Sequence, residues 1–183
     1  MKNHAREGEK YASVWSEEDP IEAGGILKLA GFWVGAGVYG IDIMQIKEVI
    51  QAKPHRVHPI PHAPPAVEGV IELRGVILPI MDLRVRFGVE VDVESAGANR
   101  LIIVGIHGRI LGLRVDRVLG ELRVPEASLR PAPALAHKGG PEGGTFSGVC
   151  KVDDHVVFVL NLQALVGPLD GDATDLAVDH DDA

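Results

Sequence analysis

The sequence is short of most of what chemistry requires. One cysteine in 183 residues excludes an intramolecular disulfide and fits a reducing compartment. Cys150 lies inside the apolar run Phe146 to Val152, where a small thiol packs rather than reacts. Gly139-Gly140 and Gly143-Gly144 are followed by neither Lys-Ser/Thr nor a helical pattern, so there is no phosphate-binding loop. No G-x-S-x-G elbow occurs, and no nucleophile is evident. Aromatic residues are 4% of the chain, too few for the stacking platforms of a nucleic-acid binder. No window approaches the ~18 apolar residues of a membrane span. The start, M-K-N-H-A-R-E-G-E-K, lacks the apolar core of a signal peptide. The expectation is a soluble, cytoplasmic protein with no catalytic residues, no cofactor and no direct membrane insertion.

A strong field of one sign is missing too. The net charge is −8, but the tail Gly167 to Ala183 carries six Asp and no Lys or Arg, and Met1 to Gly25 carries a net −3. Removing both leaves +1 for Ile26 to Val166, with none of the basic surface that nucleic acid demands. Residues 1–25 therefore read as a flexible arm, with Trp15 as a docking anchor, and 167–183 as an acidic disordered tail. The folded part is expected over 26–166.

Within that part the pattern is β. Gly69 to Arg84 reads G-V-I-E-L-R-G-V-I-L-P-I-M-D-L-R, two apolar runs around Arg74-Gly75. An X-Gly pair between β-branched runs signals a tight hairpin, because Gly accepts the positive φ that the turn needs. Arg74 sits at its tip, as a solvated turn residue or as a guanidinium offered to a partner. Pro79 puts the second strand at an edge or at a bulge. Upstream, Ile26 to Val34 and Val38 to Ile43 form strands around Gly35-Ala36-Gly37. Ile46, Val49 and Ile50 fit a short helical turn and a bulged strand equally well. Five prolines between Lys53 and Pro65 make an extended connector. Phe87 to Asn99 reads as a loop with a short charged strand at its start. Arg100 to Ile106 and Arg109 to Val115 flank His107-Gly108. Val124 to Leu129 reads as one capped helical turn, Lys138 to Gly144 as a mobile loop, and Phe146 to Val152 with His155 to Leu162 as a last hairpin turning at Asp153-Asp154.

The pattern repeats. Val38 to Ile43 (V-Y-G-I-D-I) matches Ile110 to Val115 (I-L-G-L-R-V), and Ile46 then falls over Val118. Gly69-Val70 matches Gly148-Val149, Arg74-Gly75 matches Asp153-Asp154, and Ile80 to Leu83 matches Val159 to Leu162. One strand order used twice points to two small barrels related by a pseudo-twofold. Each half is near the ~60–70-residue scale where a single core is marginal, so the barrels are expected to share an apolar interface. The hairpin tips differ: one is Arg-Gly, the other Asp-Asp.

Candidates for chemistry are few. The carboxylates pair as Asp153-Asp154 and as Asp82 with Glu72; those at the hairpin tip read as solvated turn acids, and the sequence shows no pair held in a cleft. His55, His58 and His62 have ligand-like spacing and keep open a small metal- or ligand-binding enzyme. Pro59 and Pro61 prevent the helix that would bring the rings together, so the preferred reading has them lining the connector, with no metal site.

Three stretches, Y-G-I-D-I-M-Q-I-K-E-V-I (Tyr39 to Ile50), V-E-G-V-I-E-L-R-G-V-I-L-P-I-M-D-L-R (Val67 to Arg84) and S-L-R-P-A-P (Ser128 to Pro133), together resemble the CheW family of bacterial chemosensory adaptors. The resemblance covers Ile26 to Val166. It implies an all-β fold of two five-stranded SH3-like barrels, no catalysis, and coupling of transmembrane chemoreceptors to the histidine kinase CheA, whose regulatory domain shares the fold. The same adaptor type serves swimming chemotaxis and pathways of twitching, biofilm or development. By position, Glu48 and Arg74 match residues implicated in receptor contact, and Ile46, Val49, Gly69, Leu101 and Val118 fall where members line the groove that takes the receptor tip. Glu48 and Arg74 could equally pair with each other, and Ile46, Val49 and Val118 could be plain core. The arm, the tail and the His/Pro-rich connector lie outside the family pattern.

Overall fold

The computed structural model describes residues 24–91, 98–132 and 144–167. Most of the expected arm, of the loop Lys138 to Gly144 and of the acidic tail therefore lies outside the described residues, as does Trp15. The chain is all-β with short helices. Among the described residues ten strands form two five-stranded sheets. In order they are β1 (Ile26–Val34), β2 (Gly37–Asp42), β3 (Ile46–Gln51), β4 (Val67–Leu73), β5 (Val76–Asp82), β6 (Arg100–Ile106), β7 (Arg109–Val115), β8 (Arg117–Pro125), β9 (Phe146–Val152) and β10 (His155–Leu160).

The sheet orders are β8-β1-β2-β10-β9 and β3-β6-β7-β5-β4. Substituting each strand by the one five places away turns one order into the other, so the sequence repeat is a repeat of topology. Even the single parallel pair recurs, β2 with β10 in one sheet and β5 with β7 in the other. Neither sheet is one half of the sequence, however. Unit 1 joins β1 and β2 to β8, β9 and β10, while unit 2 joins β3, β4 and β5 to β6 and β7. The chain crosses between units at Gln45/Ile46 and at Asp116/Arg117.

Each unit has its own aliphatic core. Leu29, Val38, Leu122, Val124, Val157 and Val159 pack with Cys150 in unit 1. Ile71, Leu78, Ile80, Leu101 and Ile103 pack with Ala52 in unit 2. Each such side chain contributes about 1.5–3 kcal/mol on full burial.

The two ends of each sheet are drawn together by the same device. After β3 the connector bends back, and His58 exchanges both backbone hydrogen bonds with Val70 of β4, each 2.8 Å. After β8, Arg130 does the same with Val149 of β9, again at 2.8 Å. The residue before each partner is glycine. Gly69 has φ 151°, and a Cβ there would fall on the His58 carbonyl oxygen. At Gly148 a Cβ would lie 2.9 Å from the Arg130 oxygen. This backbone approach is the physical reason for the paired glycines.

Local expectations were corrected in four places. Ile46–Gln51 is a strand bulged between Ile46 and Glu48, so of the two readings of Ile46, Val49 and Ile50 the bulged strand is the one present, and a 3-10 turn over Ile43–Gln45 precedes it. Strand β5 covers the whole expected run Val76 to Ile80 and helix α1 (Leu83–Phe87), absent from the sequence reading, follows it, while Val89 to Val91 form no strand. Helix α2 (Leu162–Val166) ends the last hairpin early. The helical turn expected over Val124 to Leu129 shrinks to Glu126–Ser128, and strand β8 precedes it.

Candidate functional site

Strand β3 and the β4–β5 hairpin carry the polar part of the site. At Arg74-Gly75 both φ angles are positive, 52° and 81°, the tight-turn geometry that a right-twisted hairpin requires. From this tip Arg74 reaches Glu48 on β3 in a two-point pair, Nη1 donating to Oε1 at 2.8 Å and Nη2 to Oε2 at 2.9 Å. The internal pairing of the two residues is therefore realised. The Arg74 side chain is nonetheless 75% exposed, and that of Glu48 27%. An exposed pair contributes only about 0–1 kcal/mol to folding, so its geometry matters more for presentation than for stability. Glu48 holds the guanidinium plane in one orientation, and the donors it does not use remain directed at solvent.

The other five expected residues separate by environment. Val49 is exposed on β3, while Ile46 is half-buried beside the bulge. Gly69 is buried at the His58 bridge. Leu101 is fully buried in the unit 2 core and presents no surface. Val118 belongs to unit 1, half-buried on β8 opposite Phe32. His55, His58 and His62 form no cluster, and among the described residues no three His, Cys, Asp or Glu side chains converge as metal ligands. Asp82 and Glu72 are not a pair either: Asp82 is buried against Arg84, and Glu72 is exposed.

Sequence reasoning missed a buried ionic cluster in unit 2. Asp82 caps α1, its Oδ1 accepting from the Arg84 backbone N–H at 2.9 Å. The same carboxylate holds the Arg84 side chain, Nε to Oδ1 at 3.0 Å and Nη2 to Oδ2 at 2.7 Å. Donating to the Asp82 carboxylate pushes the Arg84 guanidinium above its ordinary pKa, against the opposing effect of burial. Asp116 lies 3.6 Å from Nη1, and Arg114 pairs with Glu68 at 2.6 and 2.9 Å. The signal was the D-L-R at Asp82 to Arg84, where an N-cap acid and an Arg two residues on can share one carboxylate.

The repeat places Ser147, Asn161, Gln163, Asp42 and Met44 of unit 1 at the positions of Glu68, Asp82, Arg84, Arg114 and Asp116. All five line a cleft of about 570 Å³ in unit 1, whose apolar wall includes Leu27, Ile43 and Leu129. Asn161 still caps its helix, Oδ1 accepting from the Ala164 N–H at 3.3 Å, but no guanidinium fills the space. The Asp42 carboxylate accepts from the Met44 N–H at 2.9 Å, and Met44 is 82% exposed at the rim. No helix among the described residues is long and apolar enough to cross a membrane.

Comparison with known proteins agrees on one family. A family model described as a CheW-like domain matches residues 28–168. The chemotaxis protein CheW of Helicobacter pylori is 28% identical over 160 residues, covering 87% of this chain and 92% of the relative. That of Rhizobium meliloti is 31% identical over 138 residues, covering 75% and 86%. The crystal structure of the scaffolding protein TtCheW from Thermoanaerobacter tengcongensis is similar with a TM-score of 0.66 and 34% identity, over 77% of this chain and 92% of that one.

Proposed function

Because the chain belongs to the CheW family, we propose that it is a non-catalytic chemotaxis adaptor coupling chemoreceptors to the histidine kinase CheA. Its working place is then the cytoplasmic side of a membrane receptor array, reached through its partners. The observation that carries this reading is the Arg74–Glu48 pair, a guanidinium presented at a rigid hairpin tip and held by a neighbouring carboxylate. An arginine fixed in this way recognises a carboxylate or carbonyl group on a partner with little further ordering cost. Val49 on the same strand adds exposed apolar area beside it. The receptor tip is the partner assigned to this surface, with Ile46 flanking it. Gly69 and Leu101 act from inside unit 2 by fixing the strands.

Arg74→Ala tests the assignment. The fold is expected to survive with less than about 1 kcal/mol lost, read by thermal unfolding. Ternary assembly with receptor and kinase is expected to weaken roughly tenfold, and kinase activation in reconstituted arrays to fall with it. Unchanged activation with normal assembly removes Arg74 from the receptor surface. A pull-down that identifies the bound kinase assigns the pathway, swimming or other.

A further inference from the structure

Units 1 and 2 build the same frame beside their short helices and fill it differently. The parallel pairs run in one register, Val159 beside Gly40 in unit 1 and Ile80 beside Gly112 in unit 2. The antiparallel partners agree as well, Leu29 standing opposite Asp42 and Leu101 opposite Arg114. With the caps Asn161 and Asp82 also matched, Gln163 takes the place of Arg84, and Asp42 that of Arg114. In unit 2 the space over this frame holds the Arg84 guanidinium, gripped by Asp82 at 3.0 and 2.7 Å, with Asp116 at 3.6 Å. In unit 1 the same space is the cleft of about 570 Å³. Gln163 brings a shorter, neutral side chain, and Met44, at the place of Asp116, is 82% exposed at the rim. The frame thus closes around a guanidinium in one copy, and the other copy does not supply one.

The lining of the cleft suits such a group from outside. Leu27, Ile43 and Leu129, all half-buried, form an apolar wall on which an aliphatic stem can lie. The Asp42 carboxylate stands at the mouth and enters no ion pair among the described residues. Lys28, the other charged residue of the lining, is exposed on β1 and does not pair with it. A guanidinium is planar and weakly hydrated, so it leaves water for a carboxylate beside an apolar wall at less cost than an ammonium. We propose that the unit 1 cleft binds a guanidinium group on a short aliphatic stem, the stem along Leu27, Ile43 and Leu129 and the head paired to Asp42. A concave site of this size, mostly apolar with a few polar groups, is the usual form of a small-ligand pocket. A free small molecule and an arginine residue of another protein offer the same head and stem. The site draws on unit 1 alone, whereas Arg74 and Glu48 belong to unit 2, so this proposal and the adaptor reading can fail separately.

Titration of the isotopically labelled full chain with n-butylguanidinium, followed by backbone amide NMR shifts, tests it. Saturable shifts are expected, concentrated at Leu27 to Leu29, Asp42 to Gln45 and Asn161 to Gln163, with a Kd on the order of a millimolar. n-Butylurea has the same shape without the charge and is expected to bind at least roughly tenfold more weakly. Asp42→Asn keeps an acceptor for the Met44 N–H and removes the charge, and should weaken n-butylguanidinium by about tenfold. Asp42 is exposed, so this change does not threaten the fold. Asn161→Asp with Gln163→Arg installs the guanidinium that unit 2 carries and is expected to abolish binding by filling the cleft. N-acetylarginine amide separates the two sources. Binding as tight as that of n-butylguanidinium means that the site admits an arginine residue of a partner, and a loss of tenfold or more restricts it to a free small molecule. Scattered shifts that do not saturate, equal binding of n-butylurea, or an Asp42→Asn variant that titrates like the wild type overturns the proposal.

Discussion

Unit 2 and unit 1 share one strand plan and solve the space beside their short helices in different ways. Unit 2 fills it with Asp82, Arg84, Glu68, Arg114 and Asp116, and unit 1 leaves an open cleft lined by Asn161, Gln163, Ser147, Asp42 and Met44. The caps that start the helices are the same device in both, Asp82 on α1 and Asn161 on α2. Left-handed glycines end them alike, Gly88 at φ 67° and Gly167 at φ 65°. What differs is the number of roles given to one side chain. Asp82 caps a helix and neutralises a buried guanidinium; Asn161 only caps. Duplicated architecture thus leaves one copy rigid and ionically closed and the other open.

The largest test of that contrast is Asp82→Ala beside Asn161→Ala. Loss of Asp82 strands the Arg84 charge in a site where its side chain is 7% exposed, a situation that costs about 3–5 kcal/mol. Loss of Asn161 removes a cap alone and costs about 1 kcal/mol. Chemical denaturation should separate the two clearly. Asp82→Asn combined with Arg84→Gln copies the unit 1 pair into unit 2 and leaves neither of those two charges behind. It is expected to recover most of the loss, and failure to do so would mean that the ion pair stabilises unit 2 beyond merely avoiding a lone charge.

A smaller difference is expected at the bridging glycines. Gly69→Ala meets a positive φ and a backbone oxygen that cannot step aside, and should cost about 3 kcal/mol. Gly148→Ala meets Leu129 side-chain atoms as well as the Arg130 oxygen, and part of that contact can relax, so about 1–2 kcal/mol is expected. Equal losses at the two sites would show that the bridges are equally unyielding.

Much of this was legible in the residues, and the limits were physical. Hairpins declared themselves through Arg74-Gly75, His107-Gly108 and Asp153-Asp154, because tight turns constrain residue type locally. The internal repeat also exposed the paired glycines before their reason was visible. Exchange of strands between units was not legible: alternation reports which residues face a core, and is silent on which core. Strand β8 escaped because only Leu122 and Val124 of its nine residues are buried and Gly120, at φ 118°, interrupts its pattern. Helices of five residues are too short to show a 3.6-residue period. At the site, the pairing of Glu48 with Arg74 was one of two open readings. Leu101 illustrates the other side, since an apolar residue at strand spacing reads alike whether it lines a groove or fills a core.

The smallest effect should again divide the units, this time by pH. Burial pushes the Cys150 thiol and the Tyr39 phenol above their ordinary pKa values, and both lie in unit 1. Each group is neutral when protonated, so the unfolded chain releases these protons more readily than the folded one. Stability linked to them is complete below the ordinary values, near 9.0 for the thiol and 10.0 for the phenol, and declines as pH rises above each. In unit 2 the raised group is Arg84, which is already charged at neutral pH and stays so throughout this range, held by its hydrogen bond to Asp82. Thermal unfolding between pH 7 and pH 10.5 should therefore show a fall of roughly 1 kcal/mol or less. Cys150→Ala should flatten its lower part and Tyr39→Phe its upper part. An alkaline fall that persists in the double variant would move its origin out of unit 1, and with it the view that the open copy, held by neutral packing, is the one that answers to base.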